Sequence, residues 1–226
     1  MAAIHEAKYD MIRRLRVADY VTLSNAFCGV ISMFCSMQQS FVAAHAFIFL
    51  GYEFDRYDGM VARYRNECSE MGKELDSLSD LVTFGTAPAI MLHSIGFRTT
   101  VDQTILAFYV LCCVARLARF NVATHLTPKD KQGKSLYHEG LPTAYAALIV
   151  STLTSASVWM GWTTGDVFLA ILFPGTWCEV HLAMIPVAAF CALMISKRLK
   201  LRFDGGSSIP AATVIVFSLC WWFSPS

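Results

Sequence analysis

Residues 54–85 read FDRYDGMVARYRNECSEMGKELDSLSDLVTFG, a polar stretch that joins two long apolar runs. It carries four aspartates at the edges of those runs: Asp55, Asp58, Asp76 and Asp80. A carboxylate at the edge of a membrane-spanning segment is costly, so such residues generally serve a function. The first two are spaced i, i+3 and the last two i, i+4, which places each pair on one face of its own helix. Two such helices facing each other would bring four carboxylates together.

Four converging carboxylates are hard oxygen ligands of the kind that one or two Mg²⁺ or Mn²⁺ ions prefer. Such ions take their remaining ligands from water and substrate phosphates, so a diphosphate substrate is expected. Gly59 and Gly72 leave room for a nucleotide near the backbone, and Arg63 offers a forked donor to phosphate oxygens. Taken singly, each feature has a structural explanation: a solvated helix face, a packing glycine, or an arginine anchored at the lipid interface.

The composition around this stretch indicates a protein whose solvent is a bilayer. Of 226 residues, 55% are hydrophobic and 15% charged, and the mean hydropathy is +0.48, which is unusual for a soluble protein. The net charge is only +1, and the charges fall in short clusters between apolar runs, so no nucleic-acid-binding patch is predicted. Six of the eight cysteines lie inside apolar runs and no CxxC occurs; we interpret them as buried small hydrophobic residues.

Spanning a bilayer takes about 20 mostly apolar residues. The predicted fold is therefore an all-α polytopic membrane protein, with a single membrane domain over 1–226. Residues 1–17 are interpreted as an interfacial helix, with a disordered tail as the alternative; 18–202 form the transmembrane core that carries the four aspartates, and 207–223 an additional C-terminal helix. The stretch 166–178 is apolar but short, as in a re-entrant or interfacial piece. The predicted spans are 20–37, 41–58, 79–97, 103–120, 142–160, 179–196 and 207–223.

The basic residues predict the orientation, because Lys and Arg accumulate on the cytoplasmic side of membrane proteins. With the N-terminus inside, the predicted spans place 17 of the 18 Lys and Arg on the inner side and leave only Arg98 outside. This distribution supports the number of spans up to Arg202. A seventh span would put the C-terminus outside.

Together the polar residues spell Asp55-x-x-Asp58-Gly59-x-x-Ala62-Arg63, eight residues, then Gly72-x-x-x-Asp76-x-x-x-Asp80. This pattern resembles the full signature of the CDP-alcohol phosphotransferases. The resemblance implies a six-helix membrane core with a cytosol-facing polar cavity. It also implies roles for the matched residues: Asp55, Asp58 and Asp76 hold Mg²⁺ or Mn²⁺, Asp80 is the general base and also reaches metal, and Gly59, Ala62, Arg63 and Gly72 seat the CDP moiety.

Four further stretches carry a second resemblance: ADYVTLSNAFCG (18–29), MGKELDSLSDLVTFGTAPA (71–89), ARLARFNV (115–122) and EGLPTA (139–144). They are similar to the CDP-diacylglycerol-dependent phosphatidylserine synthases, the fungal branch most. The resemblance implies CDP-diacylglycerol and L-serine as substrates, membrane lipids as surroundings and a homodimer. It also implies a multi-pass protein of the endoplasmic reticulum membrane whose active site faces the cytosol.

The acceptor is expected to be selected by residues outside the signature. Arg116, Arg119 and Phe120 resemble the serine-binding element of the synthases; the alternative is that both arginines only satisfy the positive-inside bias. Thr22 and Asn25 are expected to contribute to the nucleotide site, and Gly140 and Pro142 to shape the nucleotide or lipid site. Two departures from the synthases occur away from the eight signature positions: Met60 stands where a basic residue is common, and Ala144-Tyr145 where another proline is common.

The expected reaction transfers the phosphatidyl group of CDP-diacylglycerol to the hydroxyl of L-serine and releases CMP. One alternative is the same chemistry with another acceptor, such as inositol or glycerol phosphate. A second is a cation-coupled transporter, because intramembrane carboxylates also mark ion paths. The paired glycines and Arg63 count against the transporter, since an ion path does not require them.

Overall fold

Six of the predicted apolar spans contain helices in the computed structural model, which describes residues 15–66, 69–124, 138–161, 170–196 and 200–201. Within those ranges the α-helices are α1 (Val17–Met37), α2 (Phe41–Tyr64), α3 (Glu70–Asp80), α4 (Ala87–Ile95), α5 (Thr100–Thr124), α6 (Thr143–Trp159) and α7 (Met184–Ile195). A π-helix, Leu81–Thr86, joins α3 to α4 without a break. The described residues therefore form six helical rods, which confirms the all-α fold with a six-helix core.

The third rod starts earlier than the sequence predicts. The apolar pattern places its span at 79–97, whereas the helix begins at Glu70. Ser69 is its N-cap, and the Ser69 hydroxyl accepts a hydrogen bond from the Gly72 amide at 3.0 Å. Hydropathy identifies only the apolar part of a helix, so the polar first turns escape it. This extension carries Asp76 one turn before Asp80 on the same rod.

Short strands replace part of the sixth predicted span. β1 (His138–Glu139) pairs antiparallel with β4 (Lys200–Leu201) outside that span. Within it, β3 (Val180–His181) pairs with β2 (Ile171–Leu172) in an antiparallel hairpin, so α7 begins at Met184 rather than at 179. Within the described part of 166–178, which starts at 170, the chain forms this hairpin and turns, and no helix. The predicted helix at 207–223 lies outside the described residues, as does 1–14 of the predicted interfacial helix.

The two ends of the helical bundle differ in character. At one end, Asp102 at the start of α5 accepts hydrogen bonds from the backbone amide of His181, at 3.1 Å, and pairs with the His181 ring at 2.5 Å. At the other end lie the first turns of α1 and α3 and the last turns of α2, α5 and α7. α5 and α7 therefore run in the same direction. Two described helices, Val17–Met37 and Thr100–Val122, are long and apolar enough to cross a membrane.

Candidate active site

Three carboxylates from two helices meet near the polar end of the bundle. Asp55 lies near the end of α2, and Asp76 and Asp80 lie one turn apart on α3. One carboxylate oxygen of each lies within 4.8 Å of the others, and all three side chains are half-buried. Like charges this close repel unless a proton or a cation stands between them. The arrangement therefore suits a divalent cation, and the hard oxygen donors fit Mg²⁺ or Mn²⁺.

Asp58 takes a different position from the other three. It is buried, and the Thr22 hydroxyl of α1 donates to its carboxylate at 2.6 Å. Within the described part of the chain, the compact cation-sized group contains Asp55, Asp76 and Asp80 but not Asp58. The sequence predicts that all four converge, and a metal-ligating role for Asp58 stays a prediction.

A cavity of about 220 Å³ opens beside these carboxylates, between the ends of α1, α2 and α3. It is lined by five residues that the sequence assigns to nucleotide binding: Thr22, Gly59, Ala62, Arg63 and Gly72. A Cβ added at Gly59 would lie 3.2 Å from Arg63 Nη1. Because any larger side chain there would displace the guanidinium, the glycine leaves Arg63 free to face the cavity.

Three more polar residues line the same cavity and were not singled out from the sequence: Asp19, Ser69 and Lys73. Asp19 is buried, accepts from the backbone amide of Arg16 at 2.8 Å and lies one turn before Thr22 on α1. Its i, i+3 spacing from Thr22 could have identified Asp19 from the sequence, because that spacing puts both residues on one helix face. A Cβ at Gly72 would lie 3.2 Å from Asp19 Oδ1, so Gly72 allows α3 to approach α1 closely.

Asn25 is placed against a carboxylate rather than in the cavity. Its side chain is fully buried, and its Nδ2 donates to Asp80 Oδ1 at 3.2 Å. The Asn25 Oδ1 atom has no hydrogen-bond partner among the residues that the structure describes. The geometry therefore connects Asn25 to the orientation of Asp80.

The π-helix that follows Asp80 packs closely on α1 and α2. Its Thr83 hydroxyl donates to the Asn25 carbonyl at 2.9 Å. A Cβ added at Gly29 would lie 2.8 Å from Thr83 Cα, and one added at Gly51 would lie 2.7 Å from Thr83 Cγ2. π-helical turns are rare and often occur at functional sites. This π-helix is wider than an α-helix, and the absence of side chains at Gly29 and Gly51 leaves room for it. The close packing brings Asp80 into contact with Asn25.

Arg116 and Arg119 have different surroundings although they lie one turn apart on α5. Arg116 is 8% exposed, it is close enough to Asp80 for the two charges to attract each other, and its Nη1 lies 3.5 Å from the Thr143 hydroxyl. Its Nε is buried without a hydrogen-bond partner in the described ranges. Arg119 instead donates to two carbonyls at the end of α7, Met194 at 3.1 Å and Ile195 at 2.9 Å. The structure therefore brings only Arg116 toward the carboxylates.

The remaining residues that the sequence assigns to the site are Phe120, next to Arg119 on α5, and Gly140 and Pro142, just before α6. Phe120 is on the last turns of α5 and is 37% exposed. Pro142 is the N-cap of α6, and Gly140 precedes it with a φ of +77°. Both are near the end of α7 rather than in the cavity. The roles of Gly140 and Pro142 in shaping the site, and of Phe120 in binding serine, stay predictions.

The sequence matches known proteins over most of its length. The profile of the family described as CDP-alcohol phosphatidyltransferase matches residues 15–177. The CDP-diacylglycerol–serine O-phosphatidyltransferase of Saccharomyces cerevisiae is 42% identical over 204 residues, covering 87% of this chain and 74% of the yeast protein. The Bacillus subtilis protein of the same name is 35% identical over 136 residues, covering 59% of this chain and 72% of that protein. The archaetidylserine synthase of Methanothermobacter thermautotrophicus is 32% identical over 195 residues, covering 84% and 72%.

Proposed function

This chain belongs to the CDP-alcohol phosphatidyltransferase family, and we propose that it transfers the phosphatidyl group of CDP-diacylglycerol to the hydroxyl of L-serine and releases CMP. The observation that carries this proposal is the likeness to the yeast serine O-phosphatidyltransferase over 87% of the chain. The site supports it with a carboxylate cluster beside a cavity, and with a buried arginine near that cluster.

The donor is proposed to bind in the cavity between α1, α2 and α3. Arg63 lines it and offers two parallel N–H donors, a geometry that matches phosphate oxygens. Gly59 and Gly72 keep side chains out of the cavity, so the CDP moiety can approach the backbone there. Thr22 holds Asp58 at the back of the cavity. The acyl chains would lie between helices, in the lipid.

A divalent cation, Mg²⁺ or Mn²⁺, is proposed to be held by Asp55, Asp76 and Asp80, whose oxygens lie within 4.8 Å of one another. Asp58 is proposed to contribute from the cavity side. When bound, the cation neutralises the charge that builds up on the pyrophosphate as CMP leaves. The protein's own contribution is to hold the carboxylates on two packed helices, so that they do not reorganise during the reaction.

Asp80 is proposed to be the general base. It would accept the serine hydroxyl proton as that oxygen attacks the diacylglycerol-linked phosphorus and the bond to CMP breaks. The hydrogen bond from Asn25 Nδ2, at 3.2 Å, fixes one Asp80 oxygen. Alignment of this kind supplies much of the rate acceleration in group transfer, because the reacting atoms need no further search.

Arg116 is proposed to bind the serine carboxylate. An acceptor that is a small zwitterion can be distinguished from inositol by its carboxylate, which a guanidinium binds through two parallel hydrogen bonds. Arg116 is buried, has an Nε without a partner among the described residues, and interacts with Asp80. A serine held there by its carboxylate would have its hydroxyl directed to the base.

The enzyme is proposed to be a multi-pass protein of the endoplasmic reticulum membrane, with its active site facing the cytosol, and to act as a homodimer. The orientation is supported by the basic residues, 17 of 18 of which the predicted spans place on one side. The carboxylate cluster and Arg63, Lys73 and Arg116 lie at the same end of the bundle. The location is supported by the likeness to the yeast protein.

The proposal is tested with purified protein given CDP-diacylglycerol, Mn²⁺ and, in separate reactions, labelled serine, inositol or glycerol phosphate. We expect labelled lipid and CMP in equal amounts with serine and background levels with the other two. Lipid formed from inositol or glycerol phosphate instead would identify another acceptor. Absence of CMP release with all three, together with cation flux in vesicles, would support the transporter.

A further inference from the structure

The last carbonyl groups of α7 receive hydrogen bonds from two other parts of the chain. The Leu141 amide donates to the Leu193 carbonyl at 3.2 Å. Arg119 donates to the next two carbonyls, those of Met194 and Ile195, at 3.1 and 2.9 Å. The final carbonyls of a helix lack partners within it, and in a membrane protein an unpaired carbonyl is expensive. Arg119 and Leu141 therefore fix where α7 ends.

Only glycine can occupy position 140 without disturbing the contact between Leu141 and the end of α7. The φ of Gly140 is +77°, a left-handed conformation, and a Cβ added there would clash with the Met194 carbonyl oxygen. Any side chain would therefore push the segment before α6 away from the end of α7. We refer to Arg119, Gly140, Leu141 and the carbonyls of residues 193–195 as the α7 clamp.

The α7 clamp is continuous with the surroundings of Arg116. Thr143, the first residue of α6, follows Leu141 by two positions, and its hydroxyl lies 3.5 Å from Arg116 Nη1. Arg119 is one turn after Arg116 on α5, so both arginines are held by the same helix. If the segment at 140–143 moved, the Thr143 hydroxyl would move away from the Arg116 guanidinium. The guanidinium would then lose a contact that orients it toward Asp80.

We propose that the α7 clamp positions Arg116 for the acceptor alcohol, and that Arg119 is a positioning residue that does not contact substrate. This inference rests on the proposed function and assigns to Arg119 a role different from the serine-binding one expected from the sequence. It accounts for a positively charged side chain whose two terminal nitrogens are already occupied by main-chain carbonyls. It also gives Gly140, which lies outside the cavity, a way to affect the site through Arg116.

The test measures KM for the acceptor, KM for CDP-diacylglycerol and kcat in Gly140→Ala, Arg119→Gln and Arg119→Lys. Gly175→Ala is the matched control, because Gly175 has nearly the same φ, +76°, but a Cβ there would meet nothing within 4 Å in the described residues. Thermal unfolding in detergent is recorded for every variant. The titrated alcohol is whichever one the wild-type protein consumes, so a different acceptor would refute the serine assignment while the clamp is still tested.

We expect Gly140→Ala and Arg119→Gln to raise the acceptor KM at least 5-fold, with the KM for CDP-diacylglycerol changed less than 2-fold. Arg119→Lys retains one charged donor and should recover part of the loss, while Gly175→Ala should match the wild type. The inference is overturned if the acceptor KM is unchanged in Gly140→Ala and Arg119→Gln. It is equally overturned if both substrates are affected alike, or if Gly175→Ala behaves as Gly140→Ala does.

Discussion

Asn25 Nδ2 lies 3.2 Å from Asp80 Oδ1, and this hydrogen bond joins the middle of α1 to the last carboxylate of α3. The Thr83 hydroxyl holds the main chain of Asn25 from the other side, at 2.9 Å. Asn25 is fully buried, so its orientation is fixed by these contacts rather than by water. The hydrogen bond from Asn25 consequently holds Asp80 Oδ1 in one orientation.

Replacing Asn25 by Ala should lower kcat while leaving KM for CDP-diacylglycerol nearly unchanged, because Asp80 loses its orienting donor. A hydrogen bond to a charged group contributes about 1.5–3 kcal/mol, so a decrease of roughly 10- to 150-fold is expected. Steady-state kinetics measures the effect. Ser24→Ala is the matched control, since Ser24 is half-buried and, within the described residues, its hydroxyl donates to the Tyr20 carbonyl of its own helix. Equal kinetics for the Asn25 and Ser24 variants would contradict the orienting role.

The close approach of the π-helix to α1 predicts a stability effect at Gly29. Gly29→Ala adds a Cβ 2.8 Å from Thr83 Cα, which is backbone and cannot move aside. Such overpacking destabilises a core by about 1–3 kcal/mol, and the midpoint of thermal unfolding in detergent should fall. Gly85→Ala is the comparison, because its Cβ would meet the flexible end of Leu81 at 3.0 Å. Equal midpoints for the two variants would show that the π-helix does not pack this tightly on α1.

The sequence predicted much of this architecture because its signals are local. Apolar runs located the helices, and the spacing of Asp76 and Asp80 placed both on one face. The π-helix could not be predicted, since it depends on Thr83 meeting two glycines far away in sequence. The separation of Arg116 from Arg119 was equally hidden, because their i, i+3 spacing suggested one shared role. Only the position of the end of α7 distinguishes the two.

Arg116→Lys keeps the charge but loses the fork, so KM for serine should rise while the affinity for CDP-diacylglycerol changes little. Loss of one charge-assisted contact, about 1.5–3 kcal/mol, corresponds to roughly 10- to 150-fold in serine dependence. A serine titration at saturating CDP-diacylglycerol measures it. An unchanged serine dependence in this variant would show that Arg116 does not bind serine and serves only the positive-inside bias. The assignment of serine as acceptor would then rest on sequence similarity alone.

The proposed orientation predicts which loops face the cytosol. Tyr64, 90% exposed at the end of α2, and Trp177, 89% exposed on the β2–β3 hairpin, lie at opposite ends of the bundle. In sealed microsomes, Tyr64→Cys should react with an impermeant thiol reagent, and Trp177→Cys only after permeabilisation. All eight native cysteines are first replaced by Ser or Ala in a variant shown to be active. Labelling of both positions from one side would mean that a span has been miscounted.

The carboxylate cluster predicts two kinds of loss. Asp55→Ala and Asp76→Ala remove cation ligands, so they should abolish transfer, as should excess chelator with the wild-type protein. Asp80→Asn keeps the size of the side chain and removes the base, so binding of CDP-diacylglycerol should survive better than turnover. Asp76 lines the cavity, whereas Asp55 and Asp80 do not, so nucleotide binding is the internal control for the Asp55 and Asp80 variants.

The most direct measurement is serine-dependent release of CMP from CDP-diacylglycerol by the wild-type protein and by Asp80→Asn, prepared in parallel and both shown to bind the donor. We expect the wild type to release CMP only when serine is present, in step with phosphatidylserine formation, and Asp80→Asn to release at least 100-fold less. Release of CMP without an acceptor, or undiminished serine-dependent release by Asp80→Asn, would contradict this expectation.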